Sequence, residues 1–275
     1  MLILFSQLFY LCVLLESVSP ITNGNFRPDE PASGDYPFHA LLLQRIELTN
    51  DWSPLCSGGL IHPQWVLTTA HCTQTPNSKP SEIRVSLGSI HINGENSQTH
   101  DLQRIIVHPN YTSMDNTGIG LNDIALLELN EAAKLGPRVQ PIRLHMNDKQ
   151  LLFEKMAYLT GFGKTSSHGS LSSRMRKAAM HITDSTKCAL VNYADSKICA
   201  TSFLAEGKPC TGDSGDPLFI TSKNNKPVLL GFLIYITQSG SCENDNNNSV
   251  FTRVSSYVPW IATATGINLK IFSNI

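Results

Sequence analysis

The chain has 275 residues, of which 41% are hydrophobic and 16% charged; that is enough apolar material for a sizeable core and too little charge for a disordered chain. Its 21 basic and 22 acidic side chains leave a net charge of −1, so there is no electrostatic footprint for nucleic acid or for an anionic membrane surface. No unit of a few tens of residues repeats, which excludes solenoids and propellers.

At the N-terminus, Leu2 to Leu15 is an apolar run interrupted only by Ser6 and Gln7, and the small residues Ser17 and Ser19 follow. This is the pattern of a secretory signal peptide, expected over 1–19 with a short stub to Pro20; a buried core helix is the competing reading. The run is short for a membrane span and nothing later reaches spanning length, so a secreted, extracellular protein with no membrane association is expected.

Short apolar runs bounded by Gly, Pro, Asn, Asp or Ser then recur along the chain. They lie at His39–Leu43, Trp65–Thr69, Ile83–Leu87, Ile124–Leu129, Met156–Thr160, Met180–Thr183, Pro217–Ile220, Val228–Ile236 and Val250–Val254. Each has the length of a β-strand. The stretch Asn130–Pro141, charged and carrying Gly136 and Pro137, reads as a connection between two halves. Only Ser255–Thr265 shows helical spacing, with Gly266 as its stop. The pattern is therefore all-β, a sandwich or a pair of barrels with one terminal helix.

Seven cysteines occur, and Cys12 leaves with the leader. The remaining six, Cys56, Cys72, Cys188, Cys199, Cys210 and Cys242, read as three disulfides in an oxidising compartment, with 15 possible pairings that spacing does not resolve. A zinc site is disfavoured because no C-x-x-C pair exists, so no metal or other cofactor is expected. Sequons at Asn110 and Asn247 suit surface loops of a glycosylated secreted protein.

Three segments carry chemistry. In Trp65-Val66-Leu67-Thr68-Thr69-Ala70-His71-Cys72 a histidine follows an apolar strand. In Leu121-Asn122-Asp123-Ile124-Ala125 an acid opens an apolar run, where desolvation is costly without a partner. In Cys210-Thr211-Gly212-Asp213-Ser214-Gly215-Asp216-Pro217 a serine sits in a glycine-flanked turn. Each alone is an ordinary structural feature; jointly they offer a base, its orienter and a nucleophile in the order His, Asp, Ser.

With Cys56-Ser57-Gly58-Gly59-Leu60-Ile61, Gly161-Phe162-Gly163, Ile198-Cys199-Ala200 and Val250-Phe251-Thr252-Arg253-Val254, these segments resemble the trypsin/chymotrypsin family of serine endopeptidases from Ile21 to about Gly266. The resemblance implies two six-stranded antiparallel β-barrels with a C-terminal α-helix. The protease domain would span 21–275, its barrels dividing near 135/136. It implies Ser214 as nucleophile, His71 as general base and then acid, and Asp123 as the group that orients the imidazole. The N–H groups of Gly212 and Ser214 would form the oxyanion hole. The implied disulfides are Cys56–Cys72, Cys188–Cys199 and Cys210–Cys242. A zymogen is implied too, activated when the freed amine of Ile21 pairs with Asp213. An α/β-hydrolase is disfavoured because its elbow fails at Asp216 and its triad order differs.

The specificity pocket departs from the family pattern. Lys208 stands six residues before the nucleophile, where trypsin-like members carry Asp, so cleavage after Lys or Arg is not expected; the competing reading turns Lys208 to solvent. Ile234-Tyr235-Ile236 replaces the usual Ser-Trp-Gly, narrowing the pocket mouth and removing a hydroxyl that supports the triad acid. Asp216 replaces a glycine, and the loop Cys242–Ser249, ending at pocket residue Ser249, is lengthened. Expected partners are protein or peptide substrates and protein protease inhibitors, for a monomer. The alternative is a weakly active or non-catalytic homologue acting as a binding protein or cascade cofactor.

Overall fold

A computed structural model describes residues 31–74, 79–113, 120–146, 152, 154–189, 193, 195–203, 207–237, 242 and 248–269. In chain order the strands are β1 (His39–Arg45), β2 (Trp52–His62), β3 (Trp65–Thr68), β4 (Ile83–Leu87), β5 (Gln98–Val107), β6 (Ala125–Leu129), β7 (Arg143–Leu144), β8 (Met156–Gly161), β9 (Arg176–Thr183), β10 (Lys197–Ser202), β11 (Pro217–Thr221), β12 (Pro227–Ile236) and β13 (Asn248–Arg253), and the helix α1 is Val258–Thr265.

The first six strands close into an antiparallel barrel in the order β1-β2-β3-β6-β5-β4. Closure removes the unpaired edges that an open sheet would expose. The two-residue period of a strand decides what goes inside: Ile83, Val85 and Leu87 of β4 are fully buried, with Ala40, Leu42, Leu60, Val66 and Leu127 filling the same interior. Strands β8-β9-β10-β13-β12-β11 form the second barrel, shut by the pairing of β11 with both β8 and β12, and β7 adds to β12 in parallel. Its interior holds Leu159, Met180, Ile182, Ile198, Leu218, Leu230 and Phe251.

A third cluster joins the barrels. Trp65 and Leu67, the β3 residues whose alternation turns them away from the first interior, pack with Phe38 and Ile61 against Phe219, Leu229 and Phe232 of the second barrel and Ile261 of α1. The catalytic candidates sit on strand ends at this seam.

All nine apolar runs fall on strands or their immediate flanks. The runs missed are instructive. β5 reads Gln98-Thr-His-Asp-Leu-Gln-Arg-Ile-Ile-Val107, too polar in its first half to register, because the partly buried positions Gln98 and His100 that alternate with exposed Thr99 and Asp101 are themselves polar, and that half is held by its main-chain ladder to β4. β2 contains Pro54, Gly58 and Gly59, which read as turn signals; Pro54 sits beside the bulge between β1 and β2, where a missing N–H is tolerated. The terminal helix begins at Val258, since the preceding Val254–Tyr257 forms a 3-10 turn, and it ends at Gly266 in the left-handed conformation with φ 70°. Among the described residues no helix is long and apolar enough to cross a membrane.

Candidate active site

His71 opens a 3-10 turn (His71–Thr73) just past β3, so its side chain leaves the end of a strand locked between β2 and β6. Its backbone N–H donates to Asp123 Oδ1 at 2.9 Å, and its Nδ1 lies 2.7 Å from Asp123 Oδ2. One residue thus engages both oxygens of a carboxylate whose side chain is 5% exposed, while the ring itself is 32% exposed. The two bonds offset the cost of burying the charge, and they present Nδ1–H to the acid, leaving Nε2 on the far side of the ring.

The acid is also held from the second barrel. Thr252 on β13 donates its hydroxyl to the Asp123 carbonyl at 2.7 Å, and Tyr257 donates to Asn122 Oδ1 at 3.2 Å. Burial, with Asp123's charge adding to it, pushes the Tyr257 phenol up to about 12 and raises that of Tyr111, so both stay neutral donors near pH 7.

Ser214 lies in the turn between Cys210 and β11. Its carbonyl accepts from the N–H of Ser57 at 2.8 Å. Ser57 follows Cys56, whose disulfide partner Cys72 follows His71, so the serine turn and the histidine turn hang from the same stretch of β2. No hydrogen bond joins Ser214 Oγ to His71 in the structure; the His71 ring lies against the disulfide, with Nε2 3.5 Å from Cys72 Sγ. The structure therefore bonds His71 to Asp123 and tethers Ser214 by its main chain.

The turn itself is unusual in its amides. Those of Asp213, Gly215 and Asp216 donate to Cys210, Leu233 and Asp213 carbonyls, whereas the N–H groups of Gly212 and Ser214 donate to no described residue. Gly212 has φ 97° and Gly215 φ 78°, in the left-handed region where a side chain is strained, and a Cβ on Gly215 would stand 2.1 Å from the Ser57 carbonyl oxygen.

Beneath this turn two carboxyl groups are buried together. Asp213 accepts from the N–H groups of Gly163 at 2.6 Å and Cys210 at 2.8 Å. Asp216 is fully buried beside it. Both occupy space that glycines leave open: a Cβ on Gly161 would come within 1.7 Å of Asp216 Oδ2, and one on Gly163 within 2.2 Å of Asp213 Cγ. Burial raises the Asp213 carboxyl despite its two N–H donors. Burial and then the neighbouring Asp213 charge lift Asp216 well above the usual carboxylate range. His39, hydrogen-bonded through Nδ1 to Thr160 Oγ1 at 3.1 Å, is pushed down to about 3 by burial and is a neutral core residue.

The expected pocket residues are placed as follows. Ile234 sits at a bulge in β12 and is buried against Cys188, Cys199 and Val250. Tyr235 and Ile236 are half-buried, and Ile236 pairs across the ladder with the buried Ser249. Lys208 is half-buried ahead of Cys210. Cys188–Cys199 and Cys210–Cys242 are bonded, as is Cys56–Cys72, giving the three disulfides. Cys56, His71 and Cys72 cluster tightly, but both sulfurs are in a disulfide and offer no thiolate to a metal. Asn110 is exposed. Ile21, Asn247 and the leader 1–19 lie outside the described residues.

Ser57 and Thr252 lie within segments that carry the family resemblance, but Ser57 acts through its backbone and Thr252 through a contact 129 positions away, so no local signal gives their roles. Gly161 and Gly163 were visible as Gly-Phe-Gly, but only the packed carboxyl groups explain them.

Comparison with known proteins agrees with this geometry. The trypsin family, described as "Trypsin", matches residues 28–261. Chymotrypsin-like elastase family member 1 of Macaca fascicularis is 33% identical over 216 residues, covering 76% of this chain and 78% of that protein. The same-named protein of Homo sapiens is 33% identical over 219 residues, covering 78% and 82%. Serine protease 28 of Mus musculus is 29% identical over 243 residues, covering 83% and 84%. The chain belongs to the trypsin family and is a serine endopeptidase of the chymotrypsin-like fold.

Proposed function

We propose that this protein hydrolyses peptide bonds with Ser214 as nucleophile, His71 as general base and acid, and Asp123 as the residue orienting the imidazole. The observation that carries the reading is the 2.7 Å contact of His71 Nδ1 with the buried Asp123 carboxylate. An unassisted hydroxyl is a poor nucleophile near pH 7. With Nδ1–H committed to Asp123, Nε2 is left to take the Ser214 proton as Oγ attacks the carbonyl carbon, a bond that shortens as substrate closes the site. The C=O electron pair moves onto oxygen, where the unused amides of Gly212 and Ser214 donate. Collapse breaks the C–N bond, and the Nε2 proton goes to the leaving amine. Water repeats the cycle on the acyl ester, following the known chemistry of such triads.

The side chains that wall the pocket favour small P1 residues over Lys or Arg. Ile236 stands half-buried on β12 where the family has glycine, and Lys208 supplies no acid for a basic P1. Replacing Ile236 with Gly is expected to raise kcat/KM for a Phe-P1 peptide relative to its Ala-P1 counterpart by about tenfold or more; an unchanged ratio in a peptide-library profile contradicts the placement of Ile236 in the pocket wall.

Secretion with loss of a leader near 19, glycosylation at the exposed Asn110 and at Asn247, and zymogen activation through Ile21 and Asp213 complete the reading. The protease domain would then run over 21–275 as two barrels dividing near 135/136. Three disulfides support an oxidising compartment. N-terminal sequencing of the active secreted protein is expected to begin at Ile21. The direct test of the triad is a fluorophosphonate probe: Ser214 is modified in processed protein and His71→Ala abolishes the labelling. Silence from correctly processed wild type favours a binding protein on a protease scaffold.

A further inference from the structure

Lys197 is 4% exposed, an uncommon position for a lysine, since removing an ammonium from water is costly unless an opposite charge is near. It lies on β10 directly opposite Thr252 of β13. Paired residues across a ladder project from the same face, and the Thr252 hydroxyl on that face donates to the carbonyl of Asp123. Among the described residues no hydrogen bond or close ion pair engages the Lys197 ammonium. Burial lowers its affinity for a proton, and the Asp123 carboxylate is the charge that opposes this.

Asp123, with one bond to each oxygen, can accept further donors. Its two oxygens accept from His71 and from no hydroxyl among the described residues: Thr252 serves the carbonyl, Tyr257 serves Asn122, and Ile234 is apolar. A buried carboxylate and a lysine drawn largely out of water on the same face offset one another in a medium where charges act over longer distances than in water.

We infer that Lys197 is a positioning residue of the active site, its ammonium holding Asp123 ionised and opposing protonation of His71. The inference rests on the triad reading above. The groups facing this pair are few. From β13 comes Thr252, uncharged, with Arg253 on the alternate face of that strand. From the turn after β13 comes Tyr257, and from the segment after β5 comes Tyr111; both are neutral phenols, raised by burial. Among these groups Lys197 supplies the positive charge. A neighbouring positive charge disfavours the imidazolium, so it lowers the pH at which His71 becomes a free base and extends activity to the acid side.

The test is an NMR titration of the His71 ring in Lys197→Met, Lys197→Gln and Lys197→Arg, with His71→Ala to assign the signal. Both neutral variants are expected to raise the His71 midpoint by about half a pH unit or more, and Lys197→Arg to keep the wild-type value. The acid limb of fluorophosphonate inactivation moves by the same amount. Superimposable ring titrations in the folded neutral variants overturn the inference and leave the triad reading intact. A wild type that titrates as expected but refuses the probe overturns the triad reading, and with it the catalytic meaning of Lys197.

Discussion

Ser214→Ala and His71→Ala each lower kcat by about 10⁴- to 10⁶-fold, with KM little changed, and the double variant is no slower than either alone. The non-additivity follows from mechanism: Oγ without a base is an ordinary alcohol, and a base without Oγ has no proton to take. Residual hydrolysis above the solution rate comes from the Gly212 and Ser214 amides, which both substitutions leave in place. Asp123→Asn is expected to cost about 10⁴-fold by a different route. An amide has one acceptor, and the carboxylate it replaces receives both the His71 backbone N–H and Nδ1–H. If the amide oxygen keeps the backbone bond, its NH₂ faces Nδ1 and drives the ring into the tautomer with the proton on Nε2, where it cannot accept from Ser214. Steady-state hydrolysis of a peptide library hit checks the series; a Ser214→Ala enzyme within tenfold of wild type sinks the assignment.

Asp216→Asn stabilises the protein at neutral pH and has little effect near pH 4. Asp216 and Asp213 are buried side by side, and burial with the adjacent charge places the Asp216 carboxyl well above its ordinary range. A folded-state value above the unfolded one means that the native state binds more protons. Stability contributed by the protonated group is therefore present below the unfolded value of about 4 and is lost as pH climbs through the folded value. Asparagine keeps the shape, removes the second charge and still donates to Asp213. Urea melts of variant and wild type at pH 4 and pH 7 read the difference directly. A gap of equal size at both pH values would show that Asp216 carries no coupled charge. Asp213→Asn is not its equivalent, because it removes one of the two oxygens that accept from the Gly163 and Cys210 N–H groups.

Much of the fold was legible because barrel strands alternate. The run Ile83-Arg-Val-Ser-Leu87 places its three aliphatic side chains at every second position, and all three are fully buried. β5 was not legible, since both faces of its first half carry polar side chains and it is held in place by its neighbours' backbone, which leaves no trace in composition. The site divides along the same line. His71, Asp123 and Ser214 stand out because an acid or imidazole beside an apolar run needs a reason, and because glycines bracket the serine. Lys197, beside Ile198-Cys199-Ala200, carries no signal in the sequence, since a lysine is ordinarily a solvated surface group; its burial exists only once β10 pairs with β13.

What the amino-acid order determined on its own is therefore local: strand periods, glycines where the backbone must turn left-handed, an even set of cysteines, and the three segments able to supply a proton-relay chemistry. What the tertiary structure decided is every relation between segments far apart in the chain. It chose one pairing of six cysteines out of 15. It laid Asp123 against His71, 52 residues away, and hung the Ser214 turn from Ser57. It also put two acids and a lysine out of water. Charge placement of this kind depends on dielectric and distance, and neither quantity exists until the barrels have closed and packed.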